Sequence, residues 1–234
     1  MTSFNIESQL NKSNLSLLKD LRKDFKISFV EKDIDHFQVY SQNLSSTIYY
    51  NPKIFCNASI AHELLHIKLK RYRYLNNHIY HSCLGHKKLN LIFKKVLCDH
   101  ISNCFDHLKM YPEYLSMGYS PKDFLRDGLE EKCNVNTIKK IKIKFFFAYR
   151  ANSINLYVGN LISIYADHID NNYDEHLRIL KSKEPELFNI VTKLWHSWEK
   201  FDITKIDPIY NSDLDLFESF ISDLENWVRF KRII

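Results

Sequence analysis

The chain has 234 residues and a formal net charge of +5, with 45% hydrophobic residues, 16 Phe and 14 Tyr but only 4 Gly and 5 Pro. So few breakers argue against a sandwich of many short strands and favour long helices around one core, with or without an appended helical part. The modest charge does not mark a nucleic-acid protein, and the longest apolar run, Phe145-Phe146-Phe147-Ala148-Tyr149, ends at Arg150, too short to span a bilayer.

From about Ile6 to Phe25, apolar residues recur at mixed three- and four-residue spacing, which predicts an amphipathic helix interrupted or loosened near Asn11 to Asn14. Three β-prone pieces follow, Lys26 to Val30, His36 to Tyr40 and Thr47 to Tyr50, the last ending at the turn signal Asn51-Pro52. Next comes His62-Glu63-Leu64-Leu65-His66. With no Gly or Pro from Ala58 to Leu84, this segment can form one uninterrupted helix. Residues four apart share a helix face, so His62 and His66 can aim two imidazoles at one metal ion. Glu63, about 100° round the helix, can reach a water on that ion without ligating it. Ile60, Leu64, Leu65, Ile67 and Leu69 make the helix apolar nearly all round, hence buried, and burying two His with a Glu is costly unless they are satisfied.

The stretch from Thr47-Ile48-Tyr49-Tyr50-Asn51-Pro52 through Ile60-Ala61-His62-Glu63-Leu64-Leu65-His66-Ile67-Lys68-Leu69 resembles the zincin metallopeptidases, in particular the ImmA/IrrE-type families. The resemblance covers roughly residues 25 to 112. It implies a zinc-dependent peptidase core in which a small sheet packs on the motif helix, with an edge strand above the cleft where a peptide would lie. It also implies a third zinc ligand from a downstream helix, here Leu89 to Met110. The family pattern of an acidic residue, then Asn or Asp four positions later, then Phe, matches Asp99, Asn103 and Phe105, with Asp in place of the usual Glu. The helical wheel points elsewhere. Leu97, Ile101, Cys104, Phe105 and Leu108 form the apolar stripe, Asp99 and Asp106 fall nearly opposite it, and His107 lies at its edge. His107 is therefore favoured as third ligand, with Asp99, Asp106 and His100 as alternatives and Asn103 as a hydrogen-bond partner for a ligating imidazole.

Tyr111-Pro112 should end or kink the second helix, Gly118 reads as a helix C-cap, and Ser120-Pro121 as a helix start. Tyr111, Tyr114 or Tyr119 could offer a phenol to a developing oxyanion. Beyond Asn136 the pattern predicts helices over Thr137 to His168, bent near Gly159, then Tyr173 to Lys181, Glu184 to Phe201 and Asp213 to Arg229. A break is expected at Asp207-Pro208, with Trp195, Trp198 and Trp227 anchoring the layer. The expected class is α+β, with a metallopeptidase core over 1–135 and a helical part over 136–234.

Five Cys without C-x-x-C spacing read as reduced thiols, and the N-terminal stretch lacks a secretory pattern, so a cytoplasmic protein is expected. The expected activity is hydrolysis of an intracellular protein or peptide by one zinc ion on His62, His66 and a third ligand. Glu63 would be the general base, and no membrane partner is expected. Two other classes remain. One is a non-catalytic zinc or pseudo-peptidase module with a closed site. The other, less favoured, is a basic nucleic-acid binder using Lys87-Lys88, Lys94-Lys95 and Lys139 to Lys144.

Overall fold

The computed structural model describes residues 5–72, 78–125, 130–169, 171–206 and 212–234. It is α+β, mostly helical, with two small three-stranded sheets. In chain order the elements are α1 (Lys12–Leu21), β1 (Lys26–Glu31), β2 (Gln38–Gln42), β3 (Ser45–Tyr50), α2 (Asn57–Leu69), α3 (His78–Leu84), α4 (Leu89–Ile92), α5 (Lys95–Ser116) and α6 (Val135–Lys140). There follow β4 (Lys144–Phe145), β5 (Ala148–Tyr149), α7 (Ala151–Tyr165), α8 (Asp174–Lys183), α9 (Pro185–Lys200), α10 (Ser212–Val228) and β6 (Arg232–Ile233). Internal contacts divide the chain into two units, 1–72 with 109–129, and 73–108 with 130–234. This is a different cut from the 135/136 boundary drawn on sequence pattern, and α5 runs unbroken through the junction at 108/109.

In the first unit, β3 lies at the centre of a sheet ordered β1-β3-β2, parallel to β1 and antiparallel to β2. Alternation along β3 buries Ser46, Ile48 and Tyr50, and the core gathers Leu18, Leu21, Ile60, Leu64 and Ile67 around Ile48. The β2–β3 hairpin turns at Asn43, whose φ of 52° is a left-handed conformation that Asn tolerates better than most residues. A buried amide network then fixes where α2 begins. Asn14, fully buried, donates to the backbone oxygen (2.8 Å) and the side-chain oxygen (3.1 Å) of Asn57 and accepts from the Tyr119 hydroxyl (2.9 Å). Asn11 caps α1 by accepting from the Asn14 N–H, and its own N–H donates to Asn57. Asn51 closes the strand-to-helix connection by accepting from the Lys53 N–H and donating to the Ile34 carbonyl.

The N-terminal helix does divide near Asn11 as expected, into a 3-10 turn, Ile6–Gln9, and α1, which the Asn11 side chain caps. Several other expectations are corrected. The motif helix ends at Leu69, followed by a 3-10 turn, Lys70–Tyr72, rather than running to Leu84. The second helix is broken at Phe93, then continues through exposed Pro112 to Ser116. Pro on the solvent side costs a hydrogen bond without meeting a packed neighbour, so the helix persists until Gly118, at φ 88°, caps it. The helix start at Ser120 is one 3-10 turn, Pro121–Asp123. The break expected at Asp207-Pro208 lies outside the described residues.

The largest correction falls in the second unit. The helix expected over Thr137 to His168 is α6, then a β4–β5 hairpin, then α7, which passes Gly159 without interruption. From Ile141 to Lys144 the side chains alternate, with Ile141 and Ile143 buried and Lys142 and Lys144 exposed, a period of two that fits an extended chain. The unit's core is α7, α9 and α10, with Tyr157, Trp198 and Trp227 fully or almost fully buried. Each aromatic polar group has a partner: the Tyr157 hydroxyl donates to the Leu180 carbonyl (2.9 Å) and the Trp227 indole to Glu184 (3.1 Å).

Two imidazoles here are held neutral. Burial lowers His100, which also meets the Gly159 carbonyl and Ser163, and burial lowers His168 to about 4. Between the ordinary His value and pH 4 the unfolded chain therefore binds more protons than the folded one, so stability is full above about pH 6.5 and is lost as pH falls. For His168 the loss from pH 7 to pH 5 is roughly 1–2 kcal/mol. Denaturant unfolding at both pH values should show this difference in the wild type and a smaller one in His168→Gln. Equal differences in the two proteins would remove His168 as its source.

Candidate metal centre

Asn57, Ser59, His62, His66 and Lys68 are the partly accessible residues of α2, and the line through Ser59, His62 and His66 carries the two imidazoles. Their Nε2 atoms are 3.2 Å apart and their ring centroids 4.9 Å apart. His107, buried near the middle of α5, completes the group: one ligand nitrogen from each of the three histidines lies within 4.8 Å of the others. No Asp, Glu or Cys belongs to this group among the described residues.

The residues competing for the third position have different surroundings. Asp99 is exposed and held by Lys95 on its own helix (2.6 Å). His100 faces Gly159 and Ser163. Asp106 is buried but does not join the imidazole cluster. Asn103 is exposed and makes no hydrogen bond among the described residues, so it does not orient an imidazole here. Within the first unit, Lys68 donates to both carboxylate oxygens of Glu113 (2.6 Å each), clamping α2 to the C-terminal half of α5.

Glu63 sits beside the histidines, and burial is the main cause raising its carboxyl above the usual range. His66, a backbone hydrogen bond from Val39 on the edge strand β2, and His36 act in the opposite direction. Sequence reading did not single out His36, since a loop residue has no spacing relation to a helix motif. Its Nδ1 lies 2.6 Å from Asp35, and its Nε2 accepts from the Gln38 amide (2.7 Å), which leaves the proton on Nδ1.

On the other side of the cluster, the Phe124 ring lies 5.0 Å from that of His62 and 4.9 Å from those of Tyr111 and Tyr114. This aromatic wall, also missed in the sequence, gives the cluster an apolar flank. The three tyrosines now separate. Tyr119 is committed to Asn11 and Asn14, and Tyr114 is fully buried with no hydrogen-bond partner for its hydroxyl among the described residues. Tyr111, one turn beyond His107, keeps partial exposure, and burial raises its phenol above the usual range.

No family model, curated protein or solved structure matches this chain. The site is therefore judged on its own chemistry. Two zinc–nitrogen bonds of about 2.0–2.1 Å at a tetrahedral angle hold their nitrogens about 3.4 Å apart, close to the observed His62–His66 separation. A hydrogen bond between the two imidazoles explains the same distance. It does not explain why a third imidazole lies within 4.8 Å of them. Three neutral nitrogen donors without a thiolate suit zinc or another borderline divalent ion. His78, His86 and His100 are engaged with Ser82, the Leu89 N–H and Ser163, so among the described residues no fourth imidazole closes the group.

Proposed function

We propose that the chain is a zinc-dependent metallopeptidase that hydrolyses peptide bonds of an intracellular protein or peptide. The observation that carries this reading is the convergence of His62, His66 and His107 within 4.8 Å beside the buried Glu63. His62, His66 and His107 would hold the ion and leave a position open. Zinc bound in this way supplies Lewis acidity and a nucleophilic water at neutral pH. Glu63 accepts the water's proton on its carboxylate and passes it to the leaving amine, while the Val39 N–H keeps that carboxylate oriented. Tyr111, one turn beyond His107 and partly exposed, would offer its phenol to the oxyanion. The zincin-like arrangement of sheet and helices is part of the same proposal. In the non-catalytic alternative a fourth protein ligand would close the site, and the cluster contains none among the described residues.

Elemental analysis of the purified protein tests the site. One zinc per chain is expected in the wild type, lost in His62→Ala and His107→Ala and retained in Asp99→Ala, since Asp99 is committed to Lys95. No bound metal after zinc is offered, or loss in Asp99→Ala instead of His107→Ala, would overturn this ligand set.

A further inference from the structure

No helix among the described residues is long and apolar enough to cross a membrane. The β4-β5-β6 sheet nevertheless carries a feature that helix length does not register. Its hairpin tip is Phe146-Phe147, 84% and 96% exposed, with Phe145 beside it at 48%. β6 is parallel to β5, pairing Arg232 with Ala148 and Ile233 with Tyr149, so Phe230, 93% exposed, lies at the same end of the sheet as the tip. Residues more than eighty positions apart in sequence thus put their aromatic rings in water at one place, where burial on folding contributes nothing.

The backbone adds a second observation. Phe146 has φ 51°, the left-handed conformation that costs a bulky residue most and that hairpins usually give to Gly or Asn. The other tight hairpin of this chain does use Asn, at Asn43. Folding alone would favour the same choice at residue 146, so the exposed Phe serves a contact outside the chain.

Charge identifies that contact. Residues 139–150 hold Lys139, Lys140, Lys142, Lys144 and Arg150, residues 229–232 hold Arg229, Lys231 and Arg232, and neither segment contains an acidic residue. Nearby Glu175, Glu184 and Glu186 pair with Lys139, Lys144 and Lys231. Arg150 lies over the Phe145 ring, 4.4 Å from its centroid. Lys140, Lys142, Arg229 and Arg232 remain exposed with no ion pair among the described residues. A protruding aromatic wedge above uncompensated cations matches an anionic lipid bilayer, which takes the rings into its interface and pairs the cations with headgroups. Single-stranded nucleic acid is a poorer match, since bases need a groove or platform to stack on and this tip is a two-residue turn. We infer that the Phe146-Phe147 hairpin with Phe230 is a peripheral docking tip for an anionic membrane surface. Such docking needs no membrane-spanning helix, and it is independent of the metal centre.

The test is co-sedimentation of the full chain with phosphatidylcholine vesicles, with and without phosphatidylserine, at low and high salt. Binding is expected on the anionic vesicles only and weakened by salt. It should fall about tenfold or more in the triple variant Phe146→Ser, Phe147→Ser, Phe230→Ser. The replaced rings pack against little, so that variant should melt like the wild type. Phe147→Trp should show a blue-shifted emission on the same vesicles, quenched by brominated acyl chains. The inference is overturned by absence of sedimentation, by undiminished binding of the triple variant, by binding to a single-stranded oligonucleotide in place of vesicles, or by a wild-type dimer that the triple variant cannot form.

Discussion

Glu63→Gln is expected to bind metal as the wild type does while losing peptide hydrolysis by about 10²–10⁴-fold. Gln keeps the size and shape of the side chain, and its carbonyl oxygen can still accept the Val39 N–H that orients Glu63. His62, His66 and His107 are untouched, so the ion should remain. What disappears is the carboxylate next to His62 that the mechanism uses to take and return a proton, and a neutral amide does neither. The measurement pairs metal content with cleavage of an unstructured protein substrate by both proteins. Wild-type cleavage by the variant would make Glu63 a structural residue and end the mechanism proposed here. Loss of metal along with activity would instead show that the carboxylate supports the ligands rather than the chemistry.

Truncation of Trp198 to Ala should destabilise the second unit by about 3–5 kcal/mol, the largest stability effect expected of a single residue here. Trp198 is fully buried, its ring stacked 5.1 Å from Phe105 and 5.6 Å from Phe201, with Phe217 tilted against it at 5.8 Å. Its indole N–H donates to the Phe105 carbonyl (3.2 Å), so truncation removes a hydrogen bond as well as opening a cavity among three aromatic rings. Trp198→Phe refills much of the space and should cost less, roughly 1–2 kcal/mol, for the lost hydrogen bond and residual void. Denaturant unfolding of both variants checks the order, and an Ala variant within about 1 kcal/mol of the wild type would mean that the aromatic stack repacks freely.

How much of this was legible beforehand varies with the range of the interaction. The three strands before the motif, the burial of most of α2 and the cap at Gly118 follow from local pattern, which the chain's own φ and ψ preferences enforce. That His107 and not Asp99 lies near His62 and His66 also accords with the helical wheel, whose apolar stripe says which side of α5 faces inward. The misreadings share a different cause. Lys139 to Phe147 presents Lys and Ile in an order compatible with both a helix face and an alternating strand. What favours the strand is pairing of β4 with β5, which in turn pairs with residues 232 and 233, far along the chain. Pro112 was read as an end or a kink, and it does not end the helix, because in the folded chain it stands on the solvent side of a helix that Lys68 and Glu113 tie down. His36 and Phe124 reach the site only through tertiary folding and carry no signature in sequence.

The thiols set a last consequence. Burial raises Cys83, Cys98 and Cys104 to about 12 and Cys133 to about 11, so near neutral pH all four stay protonated, poor both as nucleophiles and as soft ligands. Added zinc or cobalt therefore has no competing thiolate trap among them. Cys56 alone is exposed, at the N-cap of α2, six residues and about 9 Å along the helix axis from His62. The chain thus carries a native attachment point for a fluorophore or spin label at the base of the motif helix, and reporting on that helix requires no engineered cysteine.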